Sequence, residues 1–251
     1  MDDFQESVPR IALRKGSQIS IKSVIATILF FIFVVLVCLC LVAFRKVEKV
    51  FDKQTFYIVY VAKNKRKIDP ATTDLVKKLG GAGSVLFFKE EFYLVANVYL
   101  KESDAKEIVG GLFENFSDAG VLKIEHKSIE KKKVTHISHN LTFSRFFEKL
   151  FEFNEKFEEL QMSYLIGELS ESGFLTEILK NKLEFEQIVK DFENQSGEKL
   201  FDDIKSHANM CVNYFNEFFE EFLRSTKKET LICKLKFDLV KLKYDMFENL
   251  Q

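Results

Sequence analysis

The first pattern along the chain is an unbroken apolar run near its N-terminus. Residues 23–44 (SVIATILFFIFVVLVCLCLVAF) contain no charged residue, no proline and no glycine. About 20 apolar residues, each rising about 1.5 Å in a helix, cross the hydrocarbon core of a bilayer. No small-residue cleavage site follows the run, as a secretion signal would require. The sequence therefore predicts one transmembrane helix at 23–44, between a short tail at 1–22 and a charged neck at 45–54, and the lipid bilayer is an expected partner.

A second pattern, of short strands and helices in alternation, occupies residues 55–129. The strand segments are rich in β-branched and aromatic residues, as strands usually are. Gly80-Gly81 ends the first helix, and a polar turn at 89–91 joins two strands in a hairpin. The expected elements are strands at 56–62, 85–88, 92–100 and 121–129 and helices at 71–79 and 104–115. The order β-α-β-β-α-β predicts a compact α+β unit, in which two helices cover one face of a four-stranded sheet.

The third pattern is helical throughout. After a polar linker at 130–140, apolar residues recur at spacings of three and four through 141–251, and many of them are phenylalanine. This spacing places them on one face of a helix. Gly173 and the Ser196-Gly197 pair interrupt the pattern, which divides it into helices joined by short connections. We therefore expect an antiparallel bundle of about four helices.

Two strand motifs in residues 55–129 resemble those of the SPOR (sporulation-related repeat) domain, a small module of bacterial envelope proteins. The first strand of that family reads aromatic-x-Val-Gln-Val-Gly, and the segment 57–62 (YIVYVA) is similar, with Tyr60 in place of Gln and Ala62 in place of Gly. Its third strand reads Tyr-Arg-Val-x-Val-Gly, and the segment 92–97 (FYLVAN) takes that register. An N-terminal membrane anchor is also typical of the family. The resemblance implies a ferredoxin-like sandwich.

The resemblance also implies that the open face of the sheet binds glycan strands of peptidoglycan. Side chains alternate between the two faces of a strand, which places Tyr60, Tyr93 and Val95 on the open face. Tyrosine rings suit the C–H face and the hydroxyl groups of a sugar, so these three are the predicted glycan-binding residues. The alternation directs the other set toward the two helices: Val59, Val61, Leu94 and Ala96. Alternatively, the tyrosines pack under the helical bundle or under a second copy, because a half-bare apolar sheet face marks interfaces of any kind.

The charges and the chemical motifs limit the classes of function. The chain has 37 Lys and Arg against 38 Asp and Glu, with a formal net charge of -1 and both signs interspersed, so nucleic acid is not an expected partner. The sequence lacks a phosphate-binding loop and a nucleophile elbow, so no catalytic residue, no cofactor and no enzymatic activity is predicted. His136 and His139 have helical spacing, but no further ligand lies at a matching offset, so no metal is predicted. The spacing of His207 and Cys211 is interpreted as packing within a helix.

Cys211 and Cys233 lie almost symmetrically about the polar stretch 224–230. An antiparallel helical hairpin could bring them level, and they would then form a disulfide in an oxidising compartment or pack as reduced core cysteines. The sequence also leaves open on which side of the membrane the C-terminal region lies, because basic residues flank both ends of the apolar run.

Together these patterns predict an α+β fold class with one transmembrane helix, a β-α-β-β-α-β sandwich of SPOR type and a C-terminal antiparallel helical bundle. The expected protein is a single-pass, membrane-anchored peptidoglycan-binding protein of the bacterial cell envelope, linked to cell division or sporulation. Its C-terminal region is expected outside the cytoplasm, and its bundle is expected to meet a protein partner or a second copy. The alternative is a membrane-tethered protein–protein scaffold, without glycan binding, that could face the cytoplasm.

Overall fold

A computed structural model describes residues 49–51, 53–126, 129–130, 141–193 and 199–250. The predicted transmembrane helix at 23–44, the tail before it and most of the predicted linker at 130–140 lie outside these residues. Residues 48–251 form one compact unit.

The α+β part consists of eight elements, and their order contains the predicted order β-α-β-β-α-β. They are β1 Lys49–Phe51, β2 Gln54–Asn64, α1 Pro70–Lys78, β3 Ser84–Phe88, β4 Glu91–Tyr99, α2 Glu102–Leu112, β5 Gly120–His126 and β6 Ile129–Glu130. Four strands form an antiparallel sheet in the order β3-β4-β2-β5, and β1 pairs with β6 in a separate two-stranded sheet. Asp69 caps α1 by accepting a hydrogen bond from the backbone N–H of Ala71, with proline as the first helical residue.

Helices α1 and α2 cover one face of the four-stranded sheet. A cluster made mostly of valine and alanine is buried between them and the strands: Val59, Val61, Val76, Leu94, Ala96, Ala105, Val109, Phe116 and Ala119. It includes all four strand residues that the alternation directs toward the helices, so that prediction is confirmed. β-Branched residues and alanine suit this layer because they fill the pleated surface without separating the helices from it.

The C-terminal part consists of four helices, α3 Leu141–Leu165, α4 Glu171–Glu193, α5 Lys199–Phe222 and α6 Lys228–Leu250. Each packs on the next, and α3 also contacts α6, which closes the bundle. The core is built largely of phenylalanine rings in edge and tilted contacts, such as Phe153 and Phe215 with centroids 5.4 Å apart. Such pairs contribute about 0.5–1.5 kcal/mol beyond the burial of their area.

Helix α6 has two apolar faces and connects the bundle to the sheet. One face lies in the bundle core and includes Ile232, Leu235, Leu239 and Leu242. The other packs on the second face of the sheet through Cys233, Phe237 and Val240. The strand residues in this second cluster are Phe56, Ile58, Leu86, Tyr93, Val95, Val98 and Ile124. The sheet is therefore covered on both faces.

The fold class expected from the sequence is corrected in one respect. It included a transmembrane helix, whereas none of the six helices among the described residues is long and apolar enough to cross a membrane. The sequence left open whether the second face of the sheet is bare or packs under the helical bundle. In the structure α6 packs on that face, because it is apolar on two sides and can bury both only between the bundle and the sheet.

Candidate functional site

The three predicted glycan-binding residues lie on the sheet face that α6 covers. Tyr93 and Val95 are buried and Tyr60 is half-buried, and the two tyrosine rings meet edge to face with centroids 5.1 Å apart. The Tyr93 hydroxyl donates a 2.8 Å hydrogen bond to Glu91, and burial together with that carboxylate raises the pKa of Tyr93 to about 12. The structure brings the three residues together on one face, as the alternation predicts. They lie beneath α6 rather than on an open surface, as expected if the tyrosines pack under the helical bundle.

Lys243 is buried where α6 meets the sheet. Its Nζ donates a 2.7 Å hydrogen bond to Oε1 of Gln54 and lies 3.4 Å from the centre of the Phe151 ring. Burial lowers the pKa of Lys243 to about 7, and the same burial together with the charge of Lys243 lowers the pKa of His126 to about 4. Lysines with such pKa values occur in active sites, but the contacts of Lys243 are with the interior of the protein, so the group joins α6 to the sheet.

Lys236 is a second buried lysine on the same helix. Its Nζ lies 3.4 Å from a carboxylate oxygen of Glu158 in α3 and 4.9 Å from the centre of the Tyr99 ring. Burial lowers the pKa of Lys236, and Glu158 partly offsets that effect. Lys236 is the buried partner of this pair, so removing Glu158 would leave its ammonium group uncompensated where α3 and α6 meet the sheet.

An apolar groove of about 260 Å³ opens where the two parts of the unit meet. Its rim carries Leu79 from the end of α1, Ile108 and Leu112 from α2, and Leu165 from the end of α3. Three of these side chains are about half exposed: Leu79 is 53% exposed, Ile108 42% and Leu165 45%. We call this site the junction groove. Contiguous apolar side chains left in water typically mark an interaction site.

The buried floor of the junction groove is uncharged, whereas the exposed Glu229 lies at its edge. Gln161 donates a hydrogen bond to the sulfur of Cys233 at 3.5 Å, and the side chain of Asn97 donates to the Tyr99 hydroxyl at 3.0 Å. Burial raises the pKa of Cys233 to about 11 and that of Tyr99 to about 12. Neither group is ionised near neutral pH, so the thiol is not activated as a nucleophile. The floor is suited to apolar side chains rather than to covalent chemistry.

A basic surface adjoins the junction groove. Leu79 and Gly80 also line a neighbouring hollow of about 470 Å³, together with Lys77, Glu229 and the three lysines that we call the basic flank: Lys78, Lys227 and Lys228. One of them, Lys228, is paired with Glu171. The groove and the flank together offer an apolar surface beside a positive one.

The turn after α1 separates the junction groove from the basic flank. Gly80 has a φ of +88°, and a Cβ there would lie 2.8 Å from a carboxylate oxygen of Glu229. Glycine is required because it adopts this conformation without strain and leaves room for that carboxylate. The Thr230 hydroxyl donates a 2.8 Å hydrogen bond to the carbonyl of Lys77, which fixes the start of α6 against the end of α1.

The described residues include three other candidate groups named by the sequence: Cys211, Cys233 and His207. Cys211 and Cys233 are free and buried in different clusters, so they form no disulfide with each other. Burial raises the pKa of Cys211 well above its usual value, and the ring of His207 bonds the carbonyl of Asp203 in its own helix. The described residues contain no group of three or more His, Cys, Asp or Glu side chains that could hold a metal ion. His136 and His139 lie outside them.

Sequence reasoning missed the junction groove because helical spacing does not show which apolar stripe finds a partner. The spacing of Leu75 and Leu79 indicates one apolar face on α1, but the residue of α1 that packs on the sheet is Val76, and both leucines stay exposed. The sequence signal that could have indicated the groove is that α1 carries apolar residues on more of its surface than a sheet can cover. No protein-family model matches the chain, and no curated protein or solved structure is significantly similar to it, so membership of the SPOR family stays a prediction.

Proposed function

We propose that this chain is a protein-binding scaffold without enzymatic activity, and that a partner protein docks in the junction groove. The observation that supports this is the exposure of Leu79, Ile108 and Leu165 around one groove. Single exposed apolar residues are ordinary on a soluble surface, whereas several around one concave site mark a place where another chain excludes water. The sheet face that the sequence offers to glycans is occupied by α6.

The chemistry of the site indicates the kind of segment that binds. The apolar rim and the uncharged floor favour aliphatic or aromatic side chains. The basic flank of Lys78, Lys227 and Lys228 outnumbers the neighbouring Glu229 and favours carboxylates beside them. An amphipathic helix with an acidic side presents both, and it docks by laying its apolar face into a groove. The basic flank would speed its association and set its orientation more than it would add to affinity.

Site-specific photo-cross-linking in the source cell tests the proposal. A photoreactive amino acid replaces Ile108 in the full chain, and we expect a discrete cross-linked product that contains one partner protein. The matched control is the same amino acid at Leu183, which is somewhat more exposed than Ile108 but lies on α4 away from the groove. The product should weaken strongly when Leu165→Glu is added, because a carboxylate in the groove would have to be desolvated on binding.

The proposal fails if Ile108 gives no product, or if Leu183 gives the same products in the same amounts. Both positions are exposed, so neither replacement is expected to unfold the chain.

A further inference from the structure

The two edges of the four-stranded sheet are unlike each other. The β5 edge carries Lys123 and Glu125, which pair with each other, and Lys53 also lies 3.0 Å from Glu125. Charges of this kind protect an edge from pairing with another strand. The β3 edge, Ser84–Phe88, reads SVLFF, with no charge and no proline. Among the described residues no strand pairs with its outer side.

The side chains of β3 that face the α1 side of the sheet are apolar and exposed. Val85 is 45% exposed and Phe87 is 60% exposed, and the Phe87 ring lies 4.8 Å from that of Phe92 on the neighbouring strand. Leu86, between them, points to the other face and is buried under α6. An exposed apolar edge strand is a template for strand addition.

The backbone of β3 is also directed for pairing. Lys89 and Glu90 form a two-residue turn between β3 and β4, with φ of 47° and 65°. The residues that flank such a turn, Phe88 and Glu91, form a hydrogen-bonded pair, and hydrogen-bonded pairs alternate along an antiparallel ladder. The N–H and C=O groups of Val85 and Phe87 therefore point away from β4.

We propose that β3 pairs antiparallel with β3 of a second copy of the chain, about a two-fold axis at Leu86, so that the sheet continues through a dimer. This register sets Val85 of each copy opposite Phe87 of the other. The outward backbone groups of these two residues then bond across the axis, and their exposed side chains cover each other on one face. Isologous contacts of this kind close after two copies. β3 contributes no residue to the junction groove, so the inference goes beyond the proposed function.

Charge complementarity at the ends of the strand favours a second copy as the occupant. The side chain of Lys77 lies over Gly83, the residue just before β3. A Cβ on that glycine would be 2.5 Å from the Lys77 Cγ. The exposed Glu90 lies in the turn just after β3, while Lys89 is held over the Phe88 ring on the opposite face. Antiparallel pairing brings Glu90 of each copy beside Lys77 of the other, and symmetry repeats the contact.

Cysteine cross-linking of the full chain tests the register, in a mild detergent because segment 23–44 has no charged residue. In the double variant Val85→Cys/Phe87→Cys, cysteines on the two copies face each other across a hydrogen-bonded pair, at a Cα separation of about 5.5 Å that a disulfide can span. We expect a covalent dimer on mild oxidation. The control is Lys123→Cys/Glu125→Cys on the β5 edge, which should stay monomeric. No dimer from the first variant, or equal dimer from both, overturns the proposal.

A charge exchange tests the same contact without covalent bonds. Lys77→Glu alone or Glu90→Lys alone places like charges together twice per dimer, and each should weaken the dimer about three- to tenfold in sedimentation. The double variant should restore it. A monomeric wild-type chain, or no restoration, overturns the dimer. The photo-cross-link from Ile108 reports on the junction groove separately, so a monomer that still cross-links there leaves the proposed function standing.

Discussion

Lys243 in the last helix donates a hydrogen bond of 2.7 Å to Gln54 in the first strand of the four-stranded sheet, although 189 residues separate them. The contact lies inside the layer where α6 covers the sheet. The contact holds the ammonium group of Lys243 in a place from which most water is excluded. The free energy of unfolding therefore depends on the protonation of this group, and so on pH.

The free energy of unfolding of the wild type should rise with pH, and Lys243→Met should remove that rise. The folded pKa of Lys243 is lowered to about 7 by burial, whereas an unfolded lysine titrates near 10.4. Between about pH 7 and 10 the unfolded chain binds more protons, so the free energy of unfolding rises with pH, on the order of 1 kcal/mol per unit. Urea unfolding at several pH values measures this slope. Lys241→Met, at a more exposed position paired with Asp245, should leave the slope unchanged.

His126→Phe should protect the fold against acid. The pKa of His126 is lowered to about 4 by burial and by Lys243, so the stability that depends on its neutral form is complete above about pH 6.5 and is lost as the pH falls toward 4. Phenylalanine keeps the ring contacts with Phe56 and Phe247 and cannot be protonated. Thermal unfolding at pH 7 and pH 4.5 should show a smaller loss for the variant. Equal losses, or the same gain from His207→Phe, would contradict this.

Tyr93→Ala should behave as a core mutation. The side chain is buried under α6, so truncation should lower the free energy of unfolding by about 3–5 kcal/mol. Leu79→Ala, in the exposed rim of the junction groove, should change it by less than about 1 kcal/mol. Denaturant titration of both variants checks the contrast, and a Tyr93→Ala chain as stable as the wild type would mean that the sheet face is open.

Replacing the turn pair Lys89→Asn/Glu90→Gly should stabilise the chain. Both residues have positive φ, which costs on the order of 1 kcal/mol for residues with a Cβ, and Asn-Gly is the sequence preferred in such a turn. We expect a gain of about 1 kcal/mol in the free energy of unfolding. Glu90→Ala keeps a residue with a Cβ at this positive φ and should give no gain in the free energy of unfolding. Equal effects of the two changes would contradict the explanation by backbone strain.

The order of the strands and helices could be read from the sequence because each depends on local periodicity and on local breaks. The faces of the strands could be read as well, since alternation directs Val59 and Tyr60 to opposite sides. What covers the second face depends on a contact between residues far apart in the chain. The sequence does contain a signal for it, because Cys233, Phe237 and Val240 form a second apolar stripe on α6 besides the stripe that faces the bundle. A bundle helix exposed to water on one side has no need of that stripe.

The junction groove could not be predicted by the same means. Leu79, Ile108 and Leu165 come from three separate helices, and each belongs to a stripe that is indistinguishable from a core stripe in the sequence. Only the packed structure shows that these particular side chains are left in water.

Hydrogen exchange of Phe237→Ala tests most directly the central claim, that the sheet and the helical bundle form one unit joined by α6. Phe237 is buried between α6 and the sheet, and its truncation should cost about 3–5 kcal/mol. If the parts unfold together, the most protected amides of β2 and β4 should lose the same free energy of opening as those of α3 and α5. Unchanged protection in the sheet, with loss confined to the helices, would contradict the claim.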